Sequence, residues 1–200
     1  MRITSFFALG LLMSLAMPAF AQAPQGTPVN VRGTVAKLAG QSLTVKERDG
    51  KTVTVALAPN SRISALAKKK LSDIKVGDNV ASTSVPGKDG KLHAIEIHFL
   101  PAFVPESQFP YDLRPGSIMT NAHAAGVAAA KNGGTLTVNV KGKPVEVVVD
   151  SKTKIDGNTD ASMSDLKPGK AVFLRAVKTA DGTITANNAT VEKNGVKPPM

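Results

Sequence analysis

The 200-residue chain contains no cysteine and no tryptophan. Without cysteine there is no disulfide, no cysteine-ligated metal centre, no thiol nucleophile and no lipid-modified N-terminal cysteine. Aromatic side chains are scarce. Beyond residue 21 they are Phe99, Phe103, Phe109, Phe173 and Tyr111. Surfaces that grip sugars or single-stranded nucleic acid by stacking use several rings, so this scarcity counts against both and no nucleic-acid partner is expected. Catalytic signatures are also missing. There is no Gly-x-Ser-x-Gly elbow, no His-Glu-x-x-His and no phosphate-cradling glycine loop. The expectation is a protein that is not an enzyme, with no catalytic residue and no cofactor.

Long apolar runs are absent after the first segment. Residues 1–21 read as a secretory signal peptide: Arg2 gives the positive start, Phe6 to Leu15 is uncharged and apolar, and Ala19-Phe20-Ala21 offers small residues for cleavage. That run is broken by Pro18 and falls short of the roughly 20 residues needed to span a bilayer. The remainder, 22–200, is therefore expected to be soluble and periplasmic or secreted. Loss of Arg2 lowers the net charge from +10 to +9. A basic balance of this size suits an anionic partner, or simply a solvated basic surface.

What the chain does have is an internal repeat, with a period of roughly 92 residues. Leu71-Ser72-Asp73-Ile74-Lys75-Val76-Gly77 falls on Met163-Ser164-Asp165-Leu166-Lys167-Pro168-Gly169. Ser42-Leu43-Thr44-Val45 falls on Thr135-Leu136-Thr137-Val138, and Val53, Val55 and Leu57 on Val145, Val147 and Val149. Gly33 pairs with Gly126 and Gly40 with Gly133 in the same alignment. Val53, Val55 and Leu57 alternate with polar or small residues, the period of a half-buried strand. Asp49-Gly50, Asp89-Gly90, Lys141-Gly142 and Asp181-Gly182 mark hairpin turns.

Each copy therefore reads as about six strands in roughly 70 residues, the size of a small closed barrel, with an open sandwich as the structural alternative. The expected organisation is all-β: an OB-like six-stranded barrel over residues 28–100, a Pro-rich connector over 101–125, a second barrel over 126–193 and a mobile tail over 194–200. The connector carries Pro101, Pro105, Pro110 and Pro115 and shows no alternation.

Candidate sites are few. Glu96 and His98 share one face of the strand Leu92 to Leu100, with His93 on the other beside Ile95, Ile97 and Phe99. With His123 from the connector, Glu96 and His98 could supply three metal ligands. The plainer reading is a Glu-His pair facing solvent, because a zinc cage needs three or four converging ligands. Asp156 and Asp160 read as loop residues. The densest positive cluster is Lys68-Lys69-Lys70, flanked by Arg62 and Lys75, where the second copy has Asp160-Ala161-Ser162. It could touch phosphates or headgroups, or be merely solvated, since no aromatic is interleaved. Residues 31–100 hold twelve basic and six acidic side chains, against ten and seven in 127–193, so the first copy carries most of the charge.

The chain resembles a family of small exported proteobacterial proteins with a repeated small-barrel domain of unknown function. The matching stretches are Val31-Arg32-Gly33-Thr34-Val35, Leu43-Thr44-Val45-Lys46, Ser72-Asp73-Ile74-Lys75-Val76-Gly77 and Ala94-Ile95-Glu96-Ile97-His98-Phe99. The connector Tyr111 to Ala122 is the most specific part, and Gly195 to Met200 resembles the family's end. Members often carry the label metal transporter permease. A permease needs several apolar spans of about 20 residues, and none follows the first segment. A soluble accessory role in metal handling is what remains of that implication, with Glu96 and His98 first to test. Where the family has Pro-Glu followed by a Gly-rich, His-containing segment, this chain has Pro105-Glu106-Ser107-Gln108-Phe109-Pro110, which weakens that implication. The leading expectation is a non-enzymatic binding or structural module whose partner is an envelope protein or anionic polymer.

Overall fold

A computed structural model describes residues 26–200; the signal-peptide expectation falls on residues outside that range. Among the described residues twelve strands form: β1 (Thr27–Ala39), β2 (Ser42–Glu47), β3 (Thr52–Lys68), β4 (Asn79–Pro86), β5 (Leu92–Phe99), β6 (Ser107–Pro110), β7 (Ile118–Ala130), β8 (Gly133–Val140), β9 (Lys143–Asp150), β10 (Lys154–Asp160), β11 (Ala171–Lys178) and β12 (Ile184–Val191). The fold is the all-β, small-barrel class that the alternation implies. The Asp-Gly turns form where expected, and Lys141 and Gly142 both take positive φ, 49° and 77°, the pairing a two-residue hairpin turn of type I′ demands.

The strands pair in two closed rings. β1, β2, β3, β11 and β12 make the first, closed by a parallel β3–β12 pairing. The second contains β4, β5, β7, β8 and β9, and a short parallel pairing of Leu92 and His93 with Val147 and Val148 closes it. Each ring therefore has five strands rather than six. β10 stands between them, antiparallel to the end of β3 and parallel to β5.

One barrel per copy, over 28–100 and 126–193, is not how the chain pairs. The first copy places β1–β3 in the first ring and β4–β5 in the second. The second copy places β7–β9 in the second ring and β11–β12 in the first. Both cores are accordingly mixed. Val31, Val45 and Val55 pack with Val172, Leu174 and Val191, while Val80 and Ile97 pack with Leu136, Val138 and Val147. The crossing runs through β3, which continues for 17 residues and pairs first with β2 and then, at its far end, with β10. It thereby carries the chain out of the first ring and delivers β4 to the other.

The two halves are related by a pseudo-two-fold. Asp156 faces Lys68 and Asp160 faces Ser64 across the β3–β10 pair, and each pairing is the image of the other under the repeat. The parallel registers repeat likewise: Glu96 opposite Lys154 corresponds to Asn188 opposite Arg62. The bulges at Val35/Lys37 and Ala124/Gly126 superpose, so Gly33 corresponds to Ala122, not Gly126. Four extra residues lengthen the β7–β8 hairpin relative to β1–β2, whose last pair is Ala39 with Ser42. Gly33 has its own reason to be glycine, since a Cβ there would lie 2.1 Å from the Lys46 carbonyl oxygen.

The connector is more regular than its prolines suggest. Residues 118–125 already belong to β7, and β6 pairs with it from Ser107 to Pro110. Ala, Thr and Asn along this stretch give too little hydrophobic contrast to reveal a strand. The tail is packed rather than mobile, since Pro198 and Pro199 are buried.

Interleaving makes the two copies interdependent. Produced alone, residues 105–200 should give no folded monomer, only an unfolded chain or an exchanged homodimer. Mixing them with residues 22–104 should restore one cooperative 1:1 complex. Light scattering after size exclusion, with far-ultraviolet circular dichroism, checks this, and a folded monomer of 105–200 would contradict it.

Candidate anion-binding groove and the buried cluster beside it

The end of β3, the start of β10 and the tail converge on one open depression of about 540 Å³. Five lysines line it: Lys68 and Lys69 from β3 and its end, Lys152 and Lys154 around the start of β10, and Lys197 from the tail. All five are exposed, and among the described residues none makes an ion pair. A neighbouring depression adds Lys70 and Lys131. Lys69 also lies over the Phe99 ring, 6.0 Å from its centroid. Of the sequence-derived cluster, Lys68 and Lys69 line the groove and Lys70 borders it. Arg62 sits back along β3 opposite Asn188, and Lys75 hydrogen-bonds the Ser72 carbonyl beyond the 3-10 turn Leu71–Asp73, so neither joins. Lys152, Lys154 and Lys197 carried no signal in sequence, being distant from the cluster until the copies interleave.

Among the described residues one carboxylate lines the groove, Asp156, and it is turned to another partner. It lies in β10 rather than in a loop, is 5% exposed, and accepts a hydrogen bond from His98 Nδ1. Asp160 is likewise a β10 strand residue. His98 Nε2 stands 3.5 Å from Glu96 Oε1, which accepts a hydrogen bond of 3.1 Å from the Thr83 hydroxyl. Glu96 is 3% exposed. The expected solvent-facing Glu-His pair is therefore buried, because the outer face of the second ring meets the outer face of the first. A bulge opposite Thr83/Ser84 also shifts the phase of β5. Leu92, Ala94, Ile97 and Phe99 pack on the core, which separates His93 and Ile95 from the inward set they were expected to share.

Glu96, His98 and His123 do not converge. His123 bonds Glu106, whose other oxygen accepts the Lys141 amide. His98 spans its two carboxylates with opposite ring nitrogens, so Glu96, His98 and Asp156 cannot share one ion either. No group of three His, Asp or Glu side chains among the described residues has metal-binding geometry.

Electrostatics favour a charged imidazole. Burial alone would push the His98 pKa down, but the hydrogen bond to Asp156 and the nearby Glu96 outweigh it and raise it from 6.5 to about 9. In the counterpart position of the first ring, Ser64 and Thr190 share a neutral hydroxyl pair at 3.3 Å.

The connector ties the rings across this region. Arg32, 4% exposed, donates to both Asp112 oxygens at 2.8 and 2.9 Å and to the Tyr111 hydroxyl at 2.9 Å. Its guanidinium lies between the rings of Phe173 and Tyr111, 4.8 and 5.3 Å from their centroids. Burial opposes ionisation of Asp112, yet the hydrogen bonds from Arg32 and Asn30 hold its carboxyl below the usual range. Sequence reasoning missed Arg32 because a charge on the outer face of an alternating strand reads as solvent-exposed.

A raised histidine pKa stabilises the fold fully below the unfolded value and loses that contribution as pH rises through the folded one. Thermal melts from about pH 6.5 to about 9 should lose about 3 kcal/mol of stability. His98→Gln should flatten that slope relative to the parent. An identical slope in both proteins would remove His98 from the account.

Residues 125–188 match the model of a domain of unknown function (DUF5666). No curated protein and no solved structure matches the chain. The matched segment runs from within β7 into β12 and so supplies strands to both rings, marking one unit of the repeat rather than one barrel.

Proposed function

We propose that the protein is a non-enzymatic binding module of the bacterial envelope that attaches to phosphate-bearing anionic lipid surfaces through the lysine groove. The observation that carries this reading is the gathering of five unpaired lysines from three separate chain segments in one depression. Lysine ammonium groups are mobile point charges that suit phosphates without demanding one fixed geometry. Asp156, which would otherwise offset them, is engaged by His98. The signal-like residues 1–21 support export, and no helix among the described residues is long and apolar enough to cross a membrane. Attachment from outside by charge is consistent with both.

Residues 22–200 should co-sediment with vesicles containing anionic phospholipid and not with purely zwitterionic ones. Binding should fall steeply with salt. The variant Lys69→Ala/Lys152→Ala/Lys154→Ala should lose it while melting normally, because all three side chains are exposed. Equal binding by parent and variant, or none by either, overturns the reading.

A further inference from the structure

Where the outer faces of the two rings meet, a second cavity of about 300 Å³ opens between them, at the small end of the range for ligand pockets. Glu96 and His98 form one wall; Phe173, Arg175 and Asn188 stand opposite, and Tyr111 comes from the connector. We infer that this cavity is a binding site for a small hydroxylated molecule of the sugar or polyol class.

The selection follows from two groups that face each other. His98 Nε2 is buried, has no hydrogen-bond partner, and lies 3.5 Å from Glu96 Oε1. A ligand group that bridges the two from the cavity must accept from the imidazole N–H and donate to the carboxylate. A hydroxyl does both. A carboxylate or phosphate could accept from His98 and face Arg175 across the cavity, but at the contact itself it would meet the Glu96 carboxylate. An ammonium could donate to Glu96 but would be repelled by the charged imidazole.

The surroundings continue that chemistry. Asn121, Asn158 and Asn188 bring amides to the lining, each able to donate and accept. Tyr111, Phe99 and Phe173, three of the five aromatic residues beyond residue 21, also line it. The scarcity of rings excludes a broad stacking platform but leaves enough apolar surface for the C–H face of one small ring.

The strand pairing itself does not require these charges. The symmetry-related positions in the first ring hold Asn188, Thr190 and Ser64, which complete the same strand pairing without a carboxylate or an imidazole. A buried charge is costly unless it is well paired. An unsatisfied imidazole N–H beside a carboxylate, at a position where neutral residues also serve, points outward to a ligand.

The test uses purified residues 22–200 with monosaccharides, glycerol and inositol, and with glycine and inorganic phosphate as controls. Calorimetry should show binding of at least one hydroxylated compound, and its addition should shift the His98 ring resonances. Asn188→Ala at the exposed rim and Glu96→Gln within should each weaken binding about tenfold. The triple-lysine variant should bind normally, which separates this cavity from the groove. No heat and no His98 shift across the hydroxylated panel overturns the proposal. So does a preference for glycine or phosphate, or binding unchanged by both Asn188→Ala and Glu96→Gln.

Discussion

Each ring closes only through a parallel strand pair whose members come from different copies of the repeat: β3 with β12, and β5 with β9. Neither copy can bury its own apolar face. Val55 in β3 needs Ile184 of β12 beside it, as Val147 in β9 needs Leu92 of β5. An unclosed ring would leave strand edges and core side chains in water, a costly state for a small domain. The hydrophobic driving force is thus satisfied for both copies together or for neither. The chain behaves as an exchanged dimer with its two protomers covalently joined, and its interface has the self-matching character of a two-fold.

This exchange also decides what lies between the rings. Because β10 pairs with a strand of each ring, their outer faces are brought together instead of facing solvent. Polar side chains on those faces then sit in lower dielectric, where pairing matters more. Arg32 is held by Asp112 and Tyr111 and flanked by Phe173, so the connector and the first ring meet at one guanidinium. His98 and Asp156 make a comparable link along β5 and β10. Each leaves one buried N–H without an acceptor, Nε of Arg32 in the first and Nε2 of His98 in the second, but of the two only His98 lines the cavity between the rings.

Much of the scaffold was legible because strand alternation and turn chemistry are local. Val53, Val55 and Leu57 announce β3, and Asp89-Gly90 announces the β4–β5 turn. What alternation cannot state is which strand lies alongside. It identifies the buried face, not the partner, so either copy's β4–β5 hairpin satisfied the pattern equally well. Glu96 and His98 were found but misplaced for the same reason: a polar outer face looks identical whether water or a second barrel covers it. Asp156 was hidden by its neighbours, since Asp156-Gly157-Asn158 has turn composition, yet Gly157 lies in β10 against Phe99 and Lys69. The β1 misalignment arose because matching glycines outweighed a four-residue hairpin extension that only strand register reveals.

Duplication with exchange also explains why the lysine groove occurs once. Under the pseudo-two-fold, Lys68, Lys69 and Lys70 map to Asp160, Ala161 and Ser162, while Lys152 and Lys154 map to Asn60 and Arg62. The counterpart depression would thus carry one arginine and one aspartate where this one carries five lysines. Scaffold positions are constrained in both copies, because each ring draws strands from each. The surface where β3 of one copy meets the β10 segment of the other is under no such symmetry. Charge placed there in either copy accumulates on one side of the molecule, and that is where Lys68 and Lys69 from the first half meet Lys152 and Lys154 from the second.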